Sequence, residues 1–234
     1  MIILQIETAT SVCSVALSVS GKTTHLAELN EPNAHAAKLT RLIEQAVQEA
    51  SLTLSDLDAV AVSKGPGSYT GLRIGVSTAK GLCYGLEIPL IAIDSLHSLA
   101  AGFVQENTSL PANTLVCPMI DARRLEVYTA VFNKDLVLEQ PTKAQIIDVN
   151  YFDALPSDVP LVLFGDGADK FKDMFADKEN IQVVSDFRQS AAFLSGSAYN
   201  AFLDSDFEDV AYFEPFYLKD FVPMKSKKKQ EGGV

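Results

Sequence analysis

Apolar and polar positions alternate with two periods along this chain, and the change of period marks out its elements. Ile2–Ile6 is an apolar run of buried-strand length, closed by the small polar turn Glu7-Thr8-Ala9-Thr10-Ser11. From Val12 to Val19 apolar and polar residues alternate in steps of two, which predicts a half-buried strand. Ser20-Gly21-Lys22 turns it into a third strand, Thr23–Leu29, and Asn30-Glu31-Pro32-Asn33 breaks the pattern. The period then becomes helical, with a stripe of Ala36, Leu39, Leu42, Ile43, Ala46, Val47 and Ala50. Ala59–Val62 is a further strand. It runs into Gly65-Pro66-Gly67-Ser68, where Ser68 or Thr70 caps a helix reaching Leu86. Leu72, Val76, Ala79, Leu82, Cys83 and Leu86 form that helix's stripe, and Gly71, Gly75, Gly81 and Gly85 lie within it or at its ends. An interior glycine costs about 1 kcal/mol relative to alanine, so four of them imply close approach of another backbone, most simply a neighbouring helix. A strand at Ile88–Ile93 and a helix capped by Asp94 or Ser95 follow.

After the linker-like stretch Gln105–Asn113 the plan restarts. Strands are expected at Leu115–Ile120, Leu125–Phe132, Leu136–Leu138 and Val159–Phe164, and helices at Thr142–Ala154, Ala168–Phe175 and Ala191–Phe202. The order strand, strand, strand, helix, strand, helix occurs twice. This is a duplicated α/β architecture with a cleft between two lobes. Residues 1–104 form the first lobe and 105–210 the second. Residues 211–224 rejoin the first through Phe216–Leu218, and 225–234 are a basic disordered tail.

Charge narrows the function. A net charge of −11 repels phosphate backbones and argues against independent tight binding of nucleic acid. Cys13, Cys83 and Cys117 are widely spaced inside apolar runs, which suits small core residues in a reducing compartment. MIILQIETAT lacks the pattern of a secretion signal, and no run reaches the ~20 apolar residues of a membrane span, so a cytoplasmic location with no membrane partner is expected. Sequence also weighs against common catalytic motifs. GPGSYTG is followed by Leu72-Arg73 and not by the Lys-Ser/Thr of a Walker loop, and Ser68 does not sit in G-x-S-x-G.

Four stretches, ILQIETATSVCSVAL, SKGPGSYTGLRIGVSTAKGL, MIDARRLEVYTAVF and the closing PFYLKDFV, together resemble the TsaB (YeaZ) family of bacterial tRNA threonylcarbamoyladenosine proteins. The resemblance implies the duplicated ribonuclease H-like fold of actin, heat-shock chaperones and sugar kinases (ASKHA), with a mixed sheet flanked by helices in each lobe. It also implies a non-catalytic scaffold that pairs with and activates the catalytic relative TsaD, together with the ATPase TsaE. Their joint product is the threonylcarbamoyl group on the adenosine 3′ of the anticodon, in tRNAs reading codons that begin with A. A homodimer forms when TsaD is absent, and tRNA is met only through the complex. No cofactor is intrinsic; ATP and metal belong to the partner subunits.

The residues can be set beside that expectation. TsaD-type metal binding uses H-x-x-x-H, and here His35 is followed by Leu39 in the second place, too few ligands for a divalent ion. The turns that would hold nucleotide are altered: Glu7, Thr8 and Ala9 replace an Asp-x-Gly turn, and Asp121 is followed by Ala122. Gly165, Asp166 and Gly167 are placed like an adenosine-contacting loop, yet suit an ordinary turn. These positions read as vestigial. The partner interface implied by the resemblance lies on the two long helices of the first half: His35, Leu39, Leu42, Ile43 and Ala46 on one, Leu72, Gly75, Val76, Ala79 and Cys83 on the other. The competing readings are an ASKHA-type ATPase or small-molecule kinase, and a metallopeptidase.

Overall fold

A computed structural model describes residues 1–31 and 34–219. The expected break at Asn30–Asn33 falls partly outside them, and the basic tail 225–234 wholly so. Two five-stranded mixed sheets form the frame. In the first, β1 (Ile2–Glu7) pairs antiparallel with β2 (Cys13–Val19), which pairs antiparallel with β3 (Lys22–Leu29). On its other side β1 runs parallel to β4 (Ala59–Gly65), and β4 parallel to β5 (Leu90–Asp94). The second sheet repeats this arrangement with β6 (Leu115–Asp121), β7 (Glu126–Asn133), β8 (Leu138–Ile146), β9 (Leu161–Phe164) and β10 (Ile181–Val184). β6–β7 and β7–β8 are antiparallel, while β6–β9 and β9–β10 are parallel. The duplicated mixed-sheet architecture expected from the order of elements is present.

Helices cover the sheets unevenly. α1 (Ala34–Glu49) and α2 (Tyr69–Leu86) pack on one face of the first sheet, burying Leu39, Ile43, Ala46, Val76 and Ala79 against Leu4, Ile6, Val15, Val60 and Val62. Ile3, Ala61, Ile91 and Ile93 point to the opposite face because side chains alternate along a strand, and there they meet Leu194 and Ala198. Ala198 belongs to α4 (Ser195–Leu203). α3 (Ser95–Glu106) packs instead on the second sheet, through Leu96, Leu99, Ala100 and Phe103 against Val116, Ile120, Ala130 and Phe164. A boundary after residue 104 therefore leaves α3 with the wrong sheet, and residues 191–203 lie on the first sheet, not the second.

Among the described residues the second half has no long helices in the places of α1 and α2. Where a helix was expected at Thr142–Ala154, Thr142–Ile146 extend strand β8, and turns follow. Backbone pairing of Lys143, Ala144 and Gln145 with Thr129, Tyr128 and Val127 overrides their local helical preference. Over Ala168–Phe175 a single 3-10 turn, Asp169–Phe171, remains. The outer face of the second sheet is closed by Phe152, Phe171 and Phe175, wedged onto Cys117, Met119, Val131 and Leu163.

Candidate functional site

The β1–β2 turn and the start of α2 are built against each other. Ser68 caps α2, accepting a hydrogen bond from Gly71 N at 3.2 Å, and Ser68 N donates to Ala9 O at 2.7 Å. A side chain on Gly67 would collide with Ala9, and one on Gly71 or Gly75 with Thr8, all nearer than 3.0 Å. The close backbone approach expected from the glycines is real at these three positions. It comes from this chain's own turn and not from another helix. At Gly81 and Gly85 the space is open.

Glu7 faces away from the cleft. It is fully buried, accepting from Ala9 N (2.6 Å) and Ser63 Oγ (2.9 Å) at one oxygen and from Gln189 Nε2 (2.8 Å) at the other. Burial pushes its carboxyl up to about 7 despite those donors. Thr8 is buried too, its hydroxyl oxygen making no hydrogen bond among the described residues. The second-lobe turns do meet each other. Asp121 N donates to Asp166 Oδ1 at 3.0 Å, Lys170 Nζ reaches Asp121 Oδ1 at 2.5 Å, and Gly167 N donates to Met119 O. Desolvation raises the Asp166 carboxyl above its ordinary range. Gly165, at φ +103°, lies so close to Met119 O that no other side chain fits.

Between these turns lies a cleft of about 690 Å³, bordered by Ala9, Thr10, Ser68, Asp121, Arg123 and Asp166. Glu7, Thr8, Gly165 and Gly167 do not border it. The expected docking of the C-terminal segment is present at its rim. Phe216 N donates to Lys64 O at 2.7 Å, and the Tyr217 ring packs on Tyr69 with centroids 4.8 Å apart. Arg73 Nε donates to Tyr217 OH at 3.0 Å, while Lys219 pairs with Glu126 of β7 at 2.5 Å. This segment thus spans the cleft from lobe to lobe.

The ten residues expected at a partner interface are mostly turned inward. Leu39, Leu42, Ile43, Ala46, Leu72, Val76, Ala79 and Cys83 are each at most 5% exposed, and Gly75 is buried against Thr8. The amphipathic stripe satisfies the first sheet, so these residues are not a free contact surface. His35 is half-buried, with Nε2 3.2 Å from Val12 O, and borders the cleft. What the two helices present to solvent is a different set. α2 exposes Thr70, Arg73, Ser77, Gly81, Tyr84 and Gly85, and α1 exposes Ala37, Thr40, Arg41, Glu44 and Gln48.

Two aromatic residues absent from the sequence-based reading stand out on that side. Tyr84 is 83% and Tyr212 84% exposed. Lys80, one turn before Tyr84, donates to Ala211 O and Phe213 O on either side of Tyr212, so both tyrosines flank the same lysine. The signal for Tyr84 was present in the sequence: it lies off the stripe of Leu72, Val76, Ala79 and Cys83. Tyr212 has no such local signal.

The family described as TsaD: tRNA N6-adenosine threonylcarbamoyltransferase matches residues 30–227. Among curated relatives, the tRNA threonylcarbamoyladenosine biosynthesis protein TsaB of Escherichia coli K12 is 38% identical over 135 residues, 58% of this chain and 56% of that protein. TsaB of Bacillus subtilis 168 is 34% identical over 146 residues, 61% of either chain. The matched stretch thus spans little more than half the length of these relatives. Among solved structures, YeaZ from Pseudomonas aeruginosa superposes with a TM-score of 0.76 at 26% identity, over 93% of this chain and 99% of that one. The activator of the 2-hydroxyisocaproyl-CoA dehydratase from Clostridium difficile, solved with bound ADPNP, shares the fold alone, at TM-score 0.50 and 9% identity.

Proposed function

Since the chain belongs to the TsaD family, and within it groups with the TsaB/YeaZ proteins, we propose that it acts in tRNA threonylcarbamoyladenosine biosynthesis as a non-catalytic subunit. It pairs with and activates TsaD, works alongside TsaE, and meets tRNA only within that assembly. The observation that carries this reading is the self-packed turn. Where an ASKHA enzyme needs bare glycine backbone beside a phosphate, Gly67 and Gly71 are already filled by Thr8 and Ala9, and the Glu7 carboxylate is committed to the interior. Leu39 lies in the core at the place of a second metal-ligating histidine, which supports the assignment of metal and ATP to the partner subunits.

Pairing uses the outer face of α1 and α2. Ser77, Gly81 and Gly85 let a second helix approach α2 closely, and Tyr84 is the exposed aromatic anchor beside them. The same face joins two copies of this chain when TsaD is absent. Native mass spectrometry of the chain mixed with TsaD of the same organism tests the reading. The wild type forms a heterodimer. Gly81→Arg loses it, with an unchanged circular dichroism spectrum, because its side chain enters open space. Survival of the heterodimer in Gly81→Arg removes this face from the proposal. Micromolar ATP–magnesium binding with turnover by the chain alone replaces the whole reading with the kinase one.

A further inference from the structure

Two of the places where the chain passes between lobes converge on one buried polar cluster. Outbound, β5 of the first sheet leads into α3, which lies on the second. Inbound, the segment after β10 leads through Gln189 to the helical residues on the first sheet. Gln189 stands between them, 3% exposed, and its Nε2 lies near Glu7 Oε2 (2.8 Å), Ser95 O (3.0 Å) and Ser98 Oγ (2.9 Å). Ser95 Oγ accepts from Gly65 N at 3.1 Å. The next residues continue the seam. Ala191 N donates to Ser14 Oγ at 2.8 Å, and Ser14 and Ser190 hydroxyls both reach Glu28 Oε1 at 2.6 Å. One side chain therefore ties the end of β1 to both of these crossings.

The chemistry of this tie depends on a single proton. Among the described residues Glu7 receives only neutral donors: Ala9 N, Thr8 N, Ser63 Oγ and Gln189 Nε2. Of the charged and titratable groups on surrounding elements, Lys64 of β4 acts on Asp94, which caps α3. His97 packs against Phe132, Glu28 of β3 takes the two serines, and Arg188 pairs with Asp186. None of these supplies Glu7 with a counter-ion. A neutral Glu7 carboxyl can donate to Ser63 Oγ once that hydroxyl turns. An ionised one is a buried charge held by uncharged dipoles, a state that favours entry of water. Gln189 Oε1 is buried with no hydrogen-bond partner among the described residues and gives an entering water a second anchor.

We propose that Glu7 and Gln189 form a proton-controlled latch at the lobe joint: neutral Glu7 keeps the joint dry and closed, and ionised Glu7 admits water and frees the lobes to change their relative angle. Burial places the titration near neutrality, where a modest change of pH acts on it. The inference concerns the joint and stands apart from the choice of protein partner.

Hydrogen–deuterium exchange of the full-length chain between about pH 5 and 8, corrected for the intrinsic rates, tests it. The reporters are the Ala9, Gly65 and Ala191 amides, which donate into the seam. Opening that requires one ionisation grows about tenfold per pH unit as pH rises toward the midpoint and levels off above it. Protection of these amides should fall at that rate between about pH 5 and 7 and level off above 7, while amides in the β6–β7 ladder hold theirs. In Glu7→Gln, which cannot ionise, protection should be flat with pH. Carbon NMR of the Glu7 carboxyl in the wild type supplies a readout free of any variant, with a midpoint where the loss of protection levels off. A flat wild-type profile, an unchanged slope in Glu7→Gln, or a Glu7 midpoint below 5 each overturns the latch.

Discussion

Replacing Gly71 and Gly81 by alanine, one at a time, should move stability in opposite directions, although both lie in α2. Helical propensity alone favours alanine by about 1 kcal/mol at either position. At Gly81 a methyl group enters open space, so most of that gain should be realised. At Gly71 the methyl would lie nearer than 3.0 Å to the Thr8 carbonyl oxygen, and 3.3 Å from Ser68 Cβ and Oγ. Thr8 cannot retreat freely, because it is buried and follows Glu7, whose carboxylate is bound on both oxygens. Overpacking at such a site costs about 1–3 kcal/mol and outweighs the propensity term. For a chain of this size 1 kcal/mol corresponds to roughly 2–4 °C in Tm. Calorimetry should show Gly81→Ala about 2 °C above the wild type and Gly71→Ala about 5 °C below it. Shifts of the same sign, or a Gly71→Ala protein as stable as the parent, would refute the argument that the chain's own turn fills these glycines.

Other consequences can be checked with equal directness. Glu7 is held at about 7 in the folded chain against 4.5 unfolded, so the folded state keeps its proton longer. Its contribution of about 3 kcal/mol is whole below pH 4.5 and is lost as pH rises through 7; urea titrations from pH 4.5 to 8 should show that decline, and Glu7→Gln should remove it. Tyr84→Ala should weaken pairing with TsaD at least tenfold in calorimetric titration while leaving Tm within about 1 °C, because the ring is solvent-exposed in the free chain. Burial pushes the Cys13 and Cys83 thiols up to about 11 and that of Cys117 to about 12. A disulfide reagent at pH 8 should therefore titrate none of the three in the native protein and all three in urea.

Much of the frame could be read from local pattern. The three- and four-residue steps of Leu72, Val76, Ala79 and Cys83 gave α2 and its buried face, and the recurring order of elements gave two sheets of one topology. Local pattern cannot say what a face is buried against. Taken alone, the same stripe reads as a partner interface, and only the fold shows β1, β2 and β4 beneath it. The glycine signal failed in part for the same reason: it reports that something comes near, and Thr8 approaches Gly75 from far away in the sequence. Gln189 carried no signal, since its meaning lies in Glu7, 182 residues away. At Thr142–Ile146 a helical pattern lost to strand pairing, where register with β7 decides the structure and residue preference does not.

The exchange of coverings between the halves bears on how this chain can be cut. The first sheet is roofed on one side by α4, which follows the second sheet in sequence, and the second by α3, which precedes it. A fragment ending after residue 104 would carry a helix with no surface to rest on, and would leave Ile3, Ala61 and Ile91 bare to water. Such a piece would aggregate, and so would its complement. The two lobes are therefore architecturally distinct yet inseparable as folding units, which predicts one cooperative unfolding transition for the pair.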